Sequence, residues 1–259
     1  FILKEGRRDN VLSVKGLFCG YNGVDVIKDA SLDITAGENI SIIGPNGSGK
    51  TTFLRAIAGL IPYKGSIRLD DKEIAQMKRK EIASKIAFMS QISSIYFSYT
   101  VFETVMLGRY LRMKGGVFSE PSKKDKEFVL QCLNAVGLTE LKDRQITSLS
   151  GGQLQRVFIA RTFAQEPEII LLDEPTNHLD LKHQIELVEY LKEWSHKDRR
   201  VVVGVFHDIN LAMQFSNKIL LFNNGQIAAY GDYRTFFDGD FLKTIYSIDI
   251  KNYMLNSLR

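Results

Sequence analysis

Cysteine is nearly missing from this chain of 259 residues: only Cys19 and Cys132 occur, far apart and in no CxxC pair. That excludes a disulfide scaffold and a thiolate metal site. Both thiols have apolar neighbours and read as reduced residues in or near the core, which fits a reducing compartment. Long apolar runs are missing too. The longest, Val201–Phe206 and Ile169–Leu172, stop far short of the ~18 residues a membrane span needs. The start, Phe1-Ile2-Leu3, meets Lys4, Glu5, Arg7 and Arg8 at once, without the apolar stretch of a signal peptide. A chain that does not cross a membrane by itself is expected. Charge of one sign is not in excess, at 34 Lys and Arg against 30 Asp and Glu, and no basic block stands out. The expectation is therefore of no nucleic-acid partner. Internal repeats and low-complexity tracts are absent from the sequence.

What is present belongs to a globular protein. Hydrophobic residues make up 44% and charged residues 25%, and the length suffices for one large domain or two small ones. Val11–Phe18 and Ala30–Ile34 alternate apolar and polar residues, the pattern of half-buried antiparallel strands; Ser66–Leu69 alternates again. Asn39–Ile43 is a short apolar strand leading into a glycine-rich loop. A helix is expected over Lys50–Leu60, stopped by Gly59 and Pro62. Ile86–Ser90 reads as a buried strand ending at Gln91. From about 92 to 155 the chain changes character and reads as helices with polar links. Thr100-Val-Phe-Glu103 is a capping box, and Phe128–Val136 is a helix closed by Gly137.

Further on, Gln153–Ala164 and Leu181–Trp194 read as helices, the second N-capped by Asp180, and Ile169–Leu172 and Val201–Phe206 as strands. Strands alternating with helices imply a parallel sheet. Lys218–Phe222 and Gln226–Tyr230 flank Asn223-Asn224-Gly225, a hairpin signal, because Asn-Gly accepts the positive φ values of a tight turn.

Two short segments carry chemistry. Gly44-Pro45-Asn46-Gly47-Ser48-Gly49-Lys50-Thr51 fits G-x-x-x-x-G-K-[ST] between an apolar strand and a helix. Glycines let backbone N–H groups turn inward around phosphate oxygens, and the helix adds its positive N-terminal end. Lys50 supplies a point charge for the β- and γ-phosphates, and the Thr51 hydroxyl suits Mg²⁺. The second segment, Ile169-Ile-Leu-Leu172-Asp173-Glu174, puts two carboxylates at the end of a buried strand. Beside a phosphate loop, Asp173 suits the metal and Glu174 a water.

Leu149-Ser150-Gly151-Gly152-Gln153-Leu154-Gln155-Arg156 resembles the signature of ABC ATPases, and precedes Asp173-Glu174 at the usual distance for that family. Read from the residues alone, Ser150, Gly151 and Gly152 open a helix, so their amides form a second anion-binding end. The resemblance runs from about Val11 to Asp240. It implies an α/β P-loop NTPase fold with a mostly parallel sheet, an antiparallel β subdomain and an α-helical insertion. As a single nucleotide-binding domain, 1–259, the chain divides into a core of about 1–91 and 156–240, an insertion of about 92–155 and a tail, 241–259, of helix or strand packed on the core.

The resemblance also implies ATP and Mg²⁺ as cofactors, and a head-to-tail dimer of two copies. ATP would lie on the loop from Gly44 to Thr51 and on Thr52, with Tyr21 stacked on adenine. Ser150, Gly151, Gly152 and Gln153 of the second copy would close over it. Gln91 and His207 resemble the glutamine that contacts Mg²⁺ and the attacking water and the histidine that contacts the γ-phosphate. Thr51, Gln91 and Asp173 are thus the implied metal contacts, and Glu174, His207, Gln91 and Lys50 the implied catalytic residues. Asn177-His178-Leu179-Asp180 matches the D-loop of the family in its last two positions, where many relatives have Ser-Ala in the first two. His178 and His183 are spaced i, i+5 and do not share a helix face, so a metal pair is not expected.

Thr100–Tyr110, Thr176–Gln184 and His207–Ala212 resemble ATPases of importers for iron–siderophores, haem or cobalamin. ATPases of zinc, manganese or amino-acid importers are close alternatives, and a soluble ABC ATPase without a transport role is a further one. The implied setting is the cytoplasmic face of a membrane, with separate permease subunits and, indirectly, a substrate-binding protein.

Overall fold

The computed structural model describes residues 10–90, 99–113, 120–177, 179–196 and 200–232, together with Arg234 and Lys243. The tail 241–259, Lys243 apart, lies outside the described residues.

The chain opens as a hairpin. Strands β1 (Asn10–Tyr21) and β2 (Val24–Thr35) pair antiparallel around Asn22 at φ 51 and Gly23 at φ 79. Two consecutive positive φ values make a tight turn whose twist matches the strands. Strand β3 (Asn39–Ile43) is buried throughout and feeds helix α1 (Lys50–Ile57). The helix was expected to reach Leu60. It ends earlier because Gly59 turns to φ 67 and the Leu60 N–H bonds back to the Arg55 carbonyl, a helix-stopping motif.

Strands β4 (Tyr63–Leu69) and β5 (Lys72–Glu73) complete a four-stranded antiparallel sheet in the order β2-β1-β4-β5. Helix α2 (Arg79–Lys85), which the sequence pattern did not announce, leads into β6 (Ile86–Met89).

Helices α3 (Val101–Arg109) and α4 (Lys123–Ala135) follow, each opened by a reciprocal capping box, Thr100 with Glu103 and Ser122 with Asp125. Arg109 ties them to the core. Its guanidinium donates to Asp125 Oδ1 at 3.1 Å, to the Ala164 carbonyl at 3.2 Å and to Glu166, and lies 4.7 Å over the Phe128 ring. Helix α5 (Gly151–Ala164) then leads to β7 (Ile169–Asp173), α6 (Leu181–Ser195), β8 (Val201–Val205), α7 (Ile209–Phe215), β9 (Lys218–Asn223) and β10 (Gln226–Gly231).

The second sheet runs β10-β9-β3-β8-β7-β6, parallel except for β10, which closes the expected hairpin on β9. Both faces are covered, which is why its central strands are apolar without alternation. In β7, Ile169 and Leu171 face the core shared with α1 and the antiparallel sheet, whereas Ile170 and Leu172 face the core shared with α3 to α7. Cys19 and Cys132 are free and buried, one in each core; burial pushes their thiols up to about 11 and about 12. No helix among the described residues is long and apolar enough to cross a membrane.

Candidate nucleotide site

The loop after β3 bends where only glycine fits. Gly44 adopts φ 147, and a Cβ there would stand 2.2 Å from the Phe222 carbonyl of neighbouring β9. Gly49, at φ 105, occupies the N-cap position of α1. With these two bends the loop wraps over the N-terminus of α1, whose first amides have no intrahelical acceptor.

Lys50 is 6% exposed and donates to the Gly44 and Pro45 carbonyls at 2.8 and 2.9 Å. Burial pushes its ammonium below the ordinary lysine range, while Glu174 and Asp173 nearby pull the other way. Ser48 Oγ is buried with no hydrogen-bond partner. A buried hydroxyl without a partner costs stability unless a ligand satisfies it, so an incoming phosphate oxygen fits this loop.

The carboxylates arrive from β7. Asp173 Oδ1 accepts from Thr51 Oγ1 at 2.8 Å, across the gap between β7 and α1. Burial raises the Asp173 carboxyl, against the Thr51 hydrogen bond and with the repulsion of Glu174. Thr51 and Asp173 together offer hard oxygen ligands suited to Mg²⁺. Glu174 lies beyond the strand at φ 54, a left-handed conformation rare for a residue with a Cβ. Its Oε1 lies 2.6 Å from His207 Nε2, which donates when that nitrogen carries the proton. Its Oε2 accepts from Asn177 Nδ2.

One cleft of about 440 Å³ gathers Asn46, Gly47, Gly49, Lys50, Thr51, Thr52, Glu174 and His207, together with Val26 of β2. Gly44, Pro45 and Ser48 form the loop behind it, and Asp173 lies beneath Thr51. Val26 is not expected from the sequence, and Asn177 is singled out there only as a departure from the D-loop pattern, with no contact to Glu174 expected. Asn177 carries a faint signal as an Asn three residues into a Glu-Pro turn; Val26 carries none.

Other expected residues stand apart from this cleft. Tyr21 is 41% exposed at the end of β1, its hydroxyl accepting from Arg55 of α1 at 3.2 Å, and it does not line the cleft. Ser150, Gly151, Gly152 and Gln153 form the N-terminus of α5 and do not line it either. Ser150 Oγ accepts from the Gln153 N–H at 3.3 Å, and Gln153 Oε1 accepts from the Ser150 N–H at 3.0 Å. A Cβ on Gly151 would meet nothing within 4 Å, so this face is open. Gln91 and His178 lie outside the described residues. Asp180 caps α6 by accepting from the His183 N–H at 3.0 Å, and the His183 ring contacts the same carboxylate.

A family profile described as ABC transporter matches residues 27–177. The petrobactin import ATP-binding protein FpuD of Bacillus anthracis is 38% identical over 239 residues, covering 92% of this chain and 87% of that protein. The ferric enterobactin transport ATP-binding protein FepC of Escherichia coli is 35% identical over 243 residues, covering 93% and 89%. Among solved structures, an inward-facing transporter assigned to the metal-chelate ABC type superposes with a TM-score of 0.79 at 30% identity, covering 93% of this chain and 90% of that one. A dimeric ATP-binding cassette bound to ADP and Pi superposes at 0.76 with 31% identity, covering 85% and 98%.

Proposed function

Because the chain belongs to the ABC transporter family, as an ATP-binding subunit, we propose that it is the ATPase of an importer for an iron–siderophore or similar metal chelate. The observation that carries the ATPase reading is the convergence of Lys50, Thr51, Asp173, Glu174 and His207 from three separate strand ends on one cleft. The names of FpuD and FepC and the metal-chelate type of the superposed transporter support the cargo class.

The substrate ATP lies with its phosphates on the amides of residues 44–51. Lys50 leaves the carbonyls of Gly44 and Pro45 for the β- and γ-phosphates. Thr51 and Asp173 hold magnesium, which when bound neutralises phosphate charge. Glu174, held on Oε1 by His207, orients a water in line with the γ-phosphorus and takes its proton. Tyr21 stacks on the adenine, and Gln91 contributes to the metal and the water.

Two copies face each other head to tail, each closing the open N-terminus of its α5 over the ATP of the other. The separation of Ser150–Gln153 from the cleft of their own chain supports this arrangement, as does the dimeric form of the cassette solved with ADP and Pi. Closure pulls on separate permease subunits at the cytoplasmic face of the membrane, through the surface that the helical insertion (about 92–155) presents.

The test is Glu174→Gln in the purified chain. It binds ATP, releases phosphate at least about 100-fold more slowly, and accumulates as an ATP-bound dimer by size-exclusion chromatography. Undiminished phosphate release removes Glu174 from its role.

A further inference from the structure

We infer that Asn177 is a positioning residue for hydrolysis: its side-chain amide fixes the plane of the Glu174 carboxylate against the attacking water. The inference rests on the reading of Glu174 as the residue that orients that water.

A carboxylate held at one oxygen still swings about that hydrogen bond. His207 holds Oε1 of Glu174. Asn177 Nδ2 donates to Oε2, the other oxygen, so the two contacts together define a plane. Each carboxylate oxygen has a second acceptor site, which remains for water. The amide also adds no charge beside a group that must stay ionised; an Asp here would repel it.

The placement of Asn177 is built from both sides. The Glu174-Pro175-Thr176-Asn177 turn closes with the Asn177 N–H on the Glu174 carbonyl at 3.3 Å. Gln155, buried on α5, donates to the Pro175 carbonyl at 2.7 Å. Gln184 on α6 donates to the Thr176 and Leu179 carbonyls at 3.3 and 3.1 Å. Two helices thus set the backbone that carries Asn177 to Glu174. A misplacement of about 1 Å at a reacting group costs up to ~100-fold in rate, so holding this carboxylate has a measurable consequence.

The experiment is steady-state phosphate release from Mg–ATP by the purified full chain, in a double-mutant cycle of Asn177→Ala and Glu174→Gln. The expected result is a kcat about 10- to 100-fold lower in Asn177→Ala, with KM for ATP and the thermal midpoint unchanged. Asn177→Ser, which keeps a donor, recovers part of the loss. Asn177→Asp, of the same shape without a donor, recovers none. In the Glu174→Gln background, Asn177→Ala lowers the residual rate no further. An unchanged kcat in Asn177→Ala beside a slow Glu174→Gln overturns this inference alone. So does an equal loss from Asn177→Ala in both backgrounds, or a loss that merely follows the thermal midpoint. Normal turnover in Glu174→Gln overturns the reading of Glu174 first, and the role of Asn177 with it.

Discussion

Lys50→Ala probes the phosphate loop most directly, because this lysine already has partners that a nucleotide must displace. In the free chain its ammonium is satisfied by the Gly44 and Pro45 carbonyls. At about 4 Å and an effective dielectric of about 20, an ammonium and one phosphate charge attract by about 4 kcal/mol. The forfeited carbonyl contacts offset about 1.5 kcal/mol of that. The balance of about 2.5 kcal/mol is about 70-fold in affinity. With a nonhydrolysable ATP analogue at about 100 times the dissociation constant of the parent, the parent gains about 2.7 kcal/mol and the variant only about 0.5. For a chain of this size those values are ligand-induced shifts in Tm of about 5–11 °C against about 1–2 °C. Thermal unfolding with and without the analogue reads both, and the ligand-free Tm of the variant reports whether it folds. Equal shifts in the two proteins would refute the transfer of Lys50 from the loop carbonyls to phosphate.

Two further predictions concern the scaffold. Arg109→Met leaves buried Asp125 without its cation and the Ala164 carbonyl without a donor, so denaturant unfolding should show a loss of about 2–4 kcal/mol; a loss below about 0.5 would make the ion cluster irrelevant to stability. Glu38 is pushed up by burial, but hydrogen bonds from Lys218 and Thr35 outweigh this and hold its carboxyl below the usual glutamate range. A depressed carboxyl stabilises the fold above its unfolded value of about 4.3, and that contribution is lost as pH falls through the folded value. Lys218→Met should therefore be less stable than the parent by about 1–2 kcal/mol at neutral pH, with the gap closing in Tm scans below about pH 4; a gap that persists unchanged in acid would assign the loss to the packing of Lys218 over Tyr230 instead.

Several elements were legible because their cause is local. The Asn224-Gly225 turn has both residues at positive φ and joins β9 to β10, and Thr100 with Glu103 forms its capping box as spaced. The strand, loop and helix from Asn39 to Ile57 follow from an apolar run, glycines and a helix start. Short helices were not legible. α2 buries only Ile82, and α7 depends on Asp208 capping the Asn210 and Leu211 amides and on docking to Ser41 of β3. Neither has enough turns for a periodic pattern to show.

Taken by itself, the sequence determined which residue types could bind phosphate and metal and in which local conformation, since a glycine-rich turn and an acidic strand end are set by neighbours along the chain. Only the tertiary structure decided that Thr51 meets Asp173, that Glu174 meets His207, and that Ser150–Gln153 lie apart from the cleft of their own chain. Those relations depend on strand order in the parallel sheet and on how α5 and α6 pack against it, and no local propensity encodes the distance between side chains on different strands.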